Sequence, residues 1–308
     1  MNLRMAKYFH HFGLERDPFL DTVDPYFYCE SAVAQQAKRR LLSSIEQSRG
    51  LSVILGEPGT GKTSLSTALE QELLTDDSII LGKILDPTFA SEIEFLISVG
   101  RVFGFALPPR SSAALKNALK NFFFDTAVLE NRTPVLIIDE AQNLNDASLE
   151  ALRMLLNYQI PQKKLLNILL FGQTELEQRI TAKQNLADRV DLWVRLEPLD
   201  IGVTQSLLDY RLARAGLAPN MRLFSDDARE MLFRASGGLP RRITTLAHAS
   251  MVEAAERGSN GIFEEHVQSA ALNRGLTIAQ QPVEHVEATP KNGSRRRTWF
   301  EWLFRRNA

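Results

Sequence analysis

Residues 51–65, LSVILGEPGTGKTSL, consist of an apolar run, a glycine-rich loop and the beginning of a helical pattern. Gly56, Gly61, Lys62 and Thr63 match the spacing G-x-x-x-x-G-K-S/T. In such a loop, backbone N–H groups surround phosphates, the following helix points its positive end at them, and the lysine neutralises their charge. A chance glycine-rich turn is the alternative, and the strand and helix patterns on either side argue against it. The stretch therefore predicts a buried strand, a phosphate-binding loop and a helix, which together begin an α/β fold.

The loop also predicts which residues contact a nucleoside triphosphate. We expect Lys62 to neutralise the β and γ phosphates of ATP, and Thr63 to bind the accompanying Mg²⁺ ion. The residues expected to surround the phosphates are Gly56, Glu57, Pro58, Gly59, Thr60, Gly61, Lys62, Thr63 and Ser64.

A second apolar run ends in two adjacent acids, in the sequence TPVLIIDEAQNL. Val135 to Ile138 predict a strand buried on both faces, and Asp139 and Glu140 follow at its carboxyl end, where ligands bind in open α/β sheets. We expect Asp139 to bind Mg²⁺, directly or through water, and Glu140 to orient and deprotonate the attacking water. A solvated start of a loop is the alternative for an isolated acid pair, and the phosphate-binding loop argues against it.

Charge is unevenly distributed along the chain. The net charge is −1, yet residues 291–308 contain six basic residues and one glutamate, so the remainder of the chain is acidic. This distribution argues against a broad nucleic-acid-binding face on the body of the protein, although a local basic groove remains open.

The sequence contains no pattern for export or for a membrane span. Its N-terminus has no signal-peptide apolar segment, and no apolar run reaches the roughly 18 residues that a span needs. Cys29 is the only cysteine, which excludes an internal disulfide, and the five histidines have no metal-site spacing with it. We therefore expect a cytoplasmic protein.

Strand and helix patterns alternate up to about residue 197, and only helical patterns follow, with Ser225 as an expected N-cap. The expected fold is α/β, with a parallel sheet sandwiched by helices, followed by a smaller all-α lid. The expected segments are 1–50 (a strap over the nucleotide site and a helix), 51–197 (nucleotide-binding core), 198–274 (lid), 275–293 (flexible linker) and 294–308 (basic and aromatic tail). The alternative for the strap is that its aromatic residues only pack.

Three further motifs follow the acid pair along the chain. LLNILLFGQTEL is an apolar strand ending at Gln173, NLADRVDLWVRLEPL places Arg189 just before another strand, and SGGLPRRI places Arg241 near the start of a helix. They resemble the sensor 1, arginine finger and sensor 2 elements of AAA+ ATPases. Together with YFHHFGLERDPFLDTVDPYFY, GEPGTGKT and IDEAQNL, they resemble the ExeA/GspA family of general secretion and related pilus systems. Transposition regulators of the TniB, TnsC and MuB type are relatives of that family.

The resemblance implies roles for these residues. Gln173 would sense the γ-phosphate, although GQTEL replaces the family's GQPEL and leaves Thr174 as the alternative. Arg189 would reach the nucleotide of a neighbouring subunit, where such a charge can raise the rate by about 10³ to 10⁵. Arg241 would contact the nucleotide of its own subunit. The remaining alternatives are Arg179 and Arg195 for the finger and Arg242 for the lid arginine.

The resemblance also implies a function. It predicts an ATPase that self-assembles with ATP as a ring or filament and drives assembly or remodelling of a secretion or pilus-type envelope complex. One alternative is an ATP-dependent regulator of transposition that binds double-stranded DNA, and another is an adaptor that hydrolyses ATP slowly and acts only as a switch. Lys163 and Lys164, expected in a loop before the sensor strand, could contact a phosphate backbone or simply be solvated.

The chain ends in SRRRTWFEWLFRRNA. Trp299, Trp302 and Leu303 have helical spacing, and aromatic residues with arginines suit the surface of an anionic membrane. They also suit the groove of a partner protein, and a tail without a specific partner is the third alternative. Because the GspA-type membrane span and periplasmic peptidoglycan-binding domain are absent from the pattern, we expect this tail to supply attachment at the periphery of the inner membrane or on a protein partner.

Overall fold

The computed structural model describes residues 8–20, 25–105, 111–161 and 163–276. Its main sheet has five parallel strands in the order β2-β3-β6-β1-β7. Their bounds are Leu51–Gly56 for β1, Ile79–Ile84 for β2, Thr133–Ile138 for β3, Asn167–Gly172 for β6 and Val190–Leu196 for β7. Hence β6 lies between the strand that leads into the phosphate-binding loop and the strand that leads into the acid pair. The predicted tail, and the predicted linker beyond residue 276, lie outside the described residues.

A short antiparallel pair precedes β6. Gln159–Ile160 forms β4 and Lys163–Lys164 forms β5. The expectation of a loop at these two lysines is therefore wrong, since their backbone pairs with β4.

Twelve α-helices are found in the described residues. They are α1 Tyr8–His11, α2 Ala32–Glu46, α3 Lys62–Leu73, α4 Glu92–Val102, α5 Ser112–Phe124, α6 Asp146–Leu155, α7 Thr174–Thr181, α8 Gln184–Ala187, α9 Ile201–Arg214, α10 Asp226–Ser236, α11 Pro240–Glu256 and α12 Glu264–Asn273. Ser31, Ser91, Ser111, Asn145, Asp200 and Ser225 cap six of them, and each side chain accepts a backbone N–H of the first turn. The predicted cap at Ser225 is thus confirmed. None of these helices combines the length and apolar composition that crossing a membrane requires.

Helices cover both faces of the main sheet. Along β1, Leu51, Val53 and Leu55 pack in a hydrophobic cluster with α4, α5, α6 and α7, whereas Ile54 packs on the other face with α2 and α3. Side chains alternate between the two faces of a strand, so a strand buried on both faces needs the continuous apolar run that the sequence contains. The predicted α/β fold with a sandwiched parallel sheet is confirmed.

The N-terminal strap forms part of the core of the C-terminal helices. Tyr8, Phe12, Leu14, Phe19 and Phe27 are buried in one cluster with side chains of α9, α10, α11 and α12. The expectation was a strap laid over the nucleotide site, with aromatic residues that only pack as the alternative, and the structure has features of both: the aromatics are buried here, whereas Leu20, Tyr28 and Cys29 line the cavity described below. Burying these large side chains between helices removes apolar surface from water and so holds the strap on the C-terminal helices.

Polar contacts also hold the strap on these helices. Tyr8 Oη donates to Asp17 Oδ1 at 2.5 Å and lies 3.0 Å from His248 Nδ1 of α11. Arg211 Nη1 of α9 donates to the carbonyl oxygen of Pro18 at 3.1 Å. Strap and helices are therefore joined by both apolar and polar contacts.

Replacing Phe19 tests this shared core. Phe19 is 2% exposed, and its ring packs edge-on against Phe224 at 6.3 Å between centroids. Because Phe19→Ala leaves a cavity between helices, we expect the free energy of unfolding to fall by about 3–5 kcal/mol, measured by chemical denaturation with circular dichroism. The matched control is Leu20→Ala, which removes a side chain that is 47% exposed and should cost less than about 1 kcal/mol. Equal stability of the two variants would contradict burial of the strap in this core.

Candidate functional site

Parallel strands bring their carboxyl ends to one edge of the sheet. The phosphate-binding loop follows β1, Glu140 lies just after β3, and Gln173 directly follows β6. A cavity of about 730 Å³ lies at this edge and is lined by Glu140, Gln173 and residues 58–64 of the loop. Its volume is in the range of about 300–1,000 Å³ that is usual for small-molecule sites. The structure thus brings together site residues that the sequence placed far apart.

Two glycines of the loop are required by its geometry. A Cβ atom at Gly56 would lie 2.5 Å from Thr60 Oγ1 and 2.9 Å from the carbonyl oxygen of Leu196, which is closer than side chains tolerate. Gly61 has φ +98°, in the left-handed region that favours glycine, immediately before α3 begins. The spacing of the motif therefore reflects close backbone packing as well as phosphate access.

Lys62 is buried at the start of α3. Its Nζ donates to the carbonyl oxygens of Gly56 at 2.8 Å and Glu57 at 3.0 Å. Burial lowers the pKa of Lys62, and the carboxylates of Glu140 and Asp139 oppose that shift. An ammonium group held in this way is available to phosphate oxygens, which would balance its charge better than neutral carbonyls do.

The acid pair has two different environments. Asp139 is 3% exposed, and burial raises the pKa of its carboxyl group, with the charge of Glu140 adding to the shift. Its Oδ1 accepts the backbone N–H of Glu140 at 3.0 Å. Glu140 itself lines the cavity and has φ +47°, an unusual left-handed conformation for a residue with a side chain.

The residues present fit a magnesium ion bound together with a nucleotide. Within the described residues, no group of three or more histidine, cysteine, aspartate and glutamate side chains could hold a metal ion by itself. Thr63 lines the cavity, and Asp139 is a buried carboxylate at the same edge of the sheet. Mg²⁺ is usually held by one or two such protein oxygens and completed by substrate phosphates and water.

A glutamine that the sequence did not single out connects two site residues. Gln142 lies in the 3₁₀ turn Ala141–Asn143, and its Nε2 donates to Glu140 Oε2 at 2.5 Å. Its Oε1 accepts the backbone N–H of Gln173 at 3.1 Å. Gln142 belongs to the IDEAQNL motif, but no spacing rule identifies it, because both contacts depend on the fold.

Arg241 lies where the lid meets the loop. Its backbone N donates to the carbonyl oxygen of Gly59 at 3.3 Å, and a Cβ at Gly59 would lie 3.2 Å from the Cβ of Arg241. Arg241 is the second residue of α11 and lines the cavity. The first turn of this lid helix therefore packs directly against the phosphate-binding loop.

The other predicted arginines occupy different places. Arg195 lines the cavity and pairs with Glu177 at 2.5 Å. Arg179 donates to the carbonyl oxygen of Gln142 at 2.7 Å and pairs with Asp146 at 3.1 Å, so it anchors the loop after the acid pair.

Arg189 lies at the opposite edge of the sheet. It directly precedes β7, whose first residue, Val190, pairs with Leu51 at the amino end of β1. Burial lowers the pKa of Lys164, and the positive charge of Arg189 adds to that shift. Within the described residues, Arg189 is therefore not among those that line the cavity of its own chain.

Part of the cavity lining outside the phosphate-binding loop is apolar, although polar residues such as Ser31, Asp200 and Thr244 also line the cavity. Its lining includes Leu20, Tyr28 and Cys29 of the strap, Val33 and Ala34 of α2, and Leu199, Val203 and Leu207 near the lid. Such a wall suits the flat, apolar faces of a purine base. Sequence reasoning placed the strap over the site in general terms but did not identify these residues, since their order along the chain shows no periodicity.

Comparison with known proteins agrees with this geometry. Residues 45–180 match the family model of an AAA domain. Over 269 residues the chain is 32% identical to general secretion pathway protein A of Aeromonas hydrophila, covering 86% of this chain and 48% of that protein. The chain therefore spans about half the length of this curated relative. The resemblance predicted from the motifs is confirmed.

Solved structures show the same fold. The Aeropyrum pernix ORC2 protein in ADPNP–ADP complexes aligns with TM-score 0.60 and 17% identity over 84% of this chain and 71% of that one. Drosophila ORC bound to DNA aligns with TM-score 0.65 and 18% identity over 87% of this chain and 66% of that one. At these identities the likeness supports the AAA+ fold alone.

The single cysteine provides a direct test of the cavity. Cys29 is partly buried and lines it, and burial raises the pKa of its thiol, so alkylation by N-ethylmaleimide is best followed at about pH 8.5. We expect saturating MgATP to slow alkylation at least about 10-fold, because the base would occupy the same apolar wall. Mass spectrometry measures the labelled fraction. In Lys62→Ala the same concentration of MgATP should give little protection, and equal labelling rates with and without bound nucleotide would exclude this wall as the base site.

Proposed function

We propose that this chain, an AAA+ protein and a homologue of general secretion pathway protein A, binds ATP with Mg²⁺ and hydrolyses it to ADP and phosphate. The observation that carries the proposal is the convergence of Lys62, Glu140 and Gln173 on one cavity from three adjacent strands. Asp139 is buried directly beside Glu140. This set combines a phosphate-binding cation, a metal-binding carboxylate and a base, which are the groups that phosphoryl transfer to water requires.

Each residue has a distinct task in this proposal. Backbone N–H groups of the loop and the Lys62 ammonium bind the β and γ phosphates, and Thr63 and Asp139 hold the magnesium ion. When bound, the ion neutralises charge that develops on the phosphate oxygens. Glu140 orients the attacking water and accepts its proton, while Gln173 contacts the γ-phosphate.

We further propose that Arg189 acts on the nucleotide of a neighbouring copy, in a ring or filament formed with ATP. Support comes from its position at the amino edge of the sheet, opposite the cavity, where it is free to face another subunit. Arg241, at the start of α11, would contact the nucleotide of its own chain, so that hydrolysis can change how the lid packs on the core.

We base the proposed biological role on homology. The relative from Aeromonas hydrophila is named for the general secretion pathway. We therefore propose that ATP-driven self-assembly places or remodels a secretion or pilus-type envelope complex from the cytoplasmic side. The basic and aromatic tail, outside the described residues, would attach the ATPase to the inner membrane or to a protein partner.

A DNA-binding role in transposition remains the second candidate because of one observation. Lys164 lies beside Gly50, which follows Arg49 and precedes β1, while Lys163 is its neighbour in β5 and Arg189 directly precedes β7. Within the described part of the chain, none of these four side chains has an ion-pair partner. An unpaired basic group of this kind can bind a phosphate backbone.

Two substitutions separate binding from turnover. Lys62→Ala should weaken ATP affinity about 10- to 100-fold, because charged hydrogen bonds to the phosphates are lost. Glu140→Gln should keep the affinity and lower kcat by about 10² to 10⁴, because the base is lost. Calorimetric titration with MgATP and a phosphate-release assay give the two quantities. Unchanged turnover in Glu140→Gln would remove Glu140 from its proposed role.

A comparison of stimulators separates the two biological roles. ATP hydrolysis and particle size are measured at physiological salt with duplex DNA, with anionic liposomes and with neither. Under the secretion proposal we expect stimulation or co-sedimentation with liposomes and little response to DNA. Strong stimulation and filament formation on DNA, lost in the double variant Lys163→Glu/Lys164→Glu, would instead support the transposition candidate.

A further inference from the structure

The side-chain amide of Gln142 makes two hydrogen bonds within the candidate site. Its Nε2 donates to Glu140 Oε2 at 2.5 Å, and its Oε1 accepts the backbone N–H of Gln173 at 3.1 Å. Glu140 and Gln173 both line the cavity, and they follow two neighbouring strands. The amide therefore bridges the ends of β3 and β6, between the acid expected to activate water and the residue expected to sense phosphate.

The position of Gln142 is fixed by contacts outside the cavity. Its carbonyl oxygen accepts Arg179 Nη1 of α7 at 2.7 Å, and Arg179 also pairs with Asp146. A Cβ at Gly172 would lie 3.3 Å from Gln142 Oε1 and 2.6 Å from Leu176 Cδ2, so the absence of a side chain at Gly172 leaves room for the amide. The backbone of Gln142 is thus held by α7, and its side chain is held at the end of β6.

The contact with Gln142 limits the freedom of the Glu140 carboxylate. Glu140 has a left-handed backbone with φ +47°, so it does not continue the extended conformation of β3, which ends at Ile138. One carboxylate oxygen accepts from Gln142, and the other is left for a further hydrogen bond. A general base works only when its free oxygen is within hydrogen-bond reach of the proton that it removes.

We propose that Gln142 is a positioning residue that orients the carboxylate of Glu140 toward the attacking water and ties this orientation to the end of the sensor strand β6. The inference rests on the proposed function, in which Glu140 is the base. Gln142 itself touches neither ATP nor water in this role. Its amide bonds to both the Gln173 backbone and the Glu140 carboxylate, so the fixed end of β6 determines how the carboxylate of the base is oriented.

The test compares two substitutions that break different bonds. Gln142→Met is similar in length and removes both hydrogen bonds. Gln142→Glu keeps an acceptor for the Gln173 N–H but places a carboxylate against Glu140. The matched controls are Asn143→Met and Asn143→Glu, since the side chain of Asn143 is exposed in the same 3₁₀ turn.

Kinetics with MgATP give the readout. In both Gln142 variants we expect kcat to fall about 10- to 100-fold, because small misplacements of a catalytic group have effects of this size. KM and the calorimetric affinity for MgATP should remain within about 2-fold of wild type, because the phosphate-binding loop is unchanged. The Asn143 variants should keep wild-type kcat. In a Glu140→Gln background, adding Gln142→Met should change the residual rate by less than about 2-fold, because the group that it positions is already lost.

Several outcomes would overturn the inference. A kcat of Gln142→Met within about 2-fold of wild type would exclude positioning of the base, as would a loss confined to KM or to ATP affinity. Wild-type activity in Gln142→Glu would mean that the bond to Gln173 alone matters. If wild type hydrolyses ATP and Glu140→Gln does not, while Gln142→Met is fully active, only the present inference fails. Absence of hydrolysis by wild type would overturn the proposed function and this inference together.

Discussion

The buried ammonium group of Lys62 is the constraint around which the candidate site is arranged. Lys62 is 6% exposed, and leaving such a charge unpaired would cost several kcal/mol. Its hydrogen bonds to two loop carbonyls satisfy part of this need, and the nearby carboxylates of Asp139 and Glu140 supply opposite charge. Those acids can be near only because β6 alone separates β1 from β3. The order of strands thus determines the electrostatics of the site.

The sequence predicts the features that depend on short-range patterns, and it does not predict those that depend on contacts between distant residues. The spacing from Gly56 to Thr63 and the apolar run before Asp139 are short-range patterns, so the two strands and the positions of the loop and the acid pair after them were predicted correctly. The contacts of Gln142 were missed, because they join the ends of two strands and require the sheet order. Burial of Phe19 between the C-terminal helices was missed for the same reason, since its partners come about 200 residues later. Lys163 appeared to be in a loop because a two-residue strand is too short to show periodicity.

The lid and the phosphate-binding loop both line the cavity, and they contact each other directly. The backbone of Arg241 bonds to Gly59, and Leu199 N donates to the carbonyl oxygen of Gly238 at 2.8 Å. A Cβ at Gly238 would lie 2.2 Å from the carbonyl oxygen of Leu199, so this junction has no room for a side chain. The apolar wall, the loop and the first turn of α11 therefore share a closely packed junction. A shift of the loop on phosphate binding would therefore also displace the first turn of α11.

The shared core of the strap and the C-terminal helices has a consequence for biosynthesis. Tyr8, Phe12, Phe19 and Phe27 are synthesised before the main sheet, and the helices that bury them are encoded after it. At a synthesis rate of about 5–20 residues per second, these aromatic side chains remain without their partners for on the order of 10 s or more. During this interval the sheet can fold, whereas the strap presents an unburied aromatic segment. Until α9 to α12 are complete, the apolar surface of the strap is therefore a site where the nascent chain can aggregate.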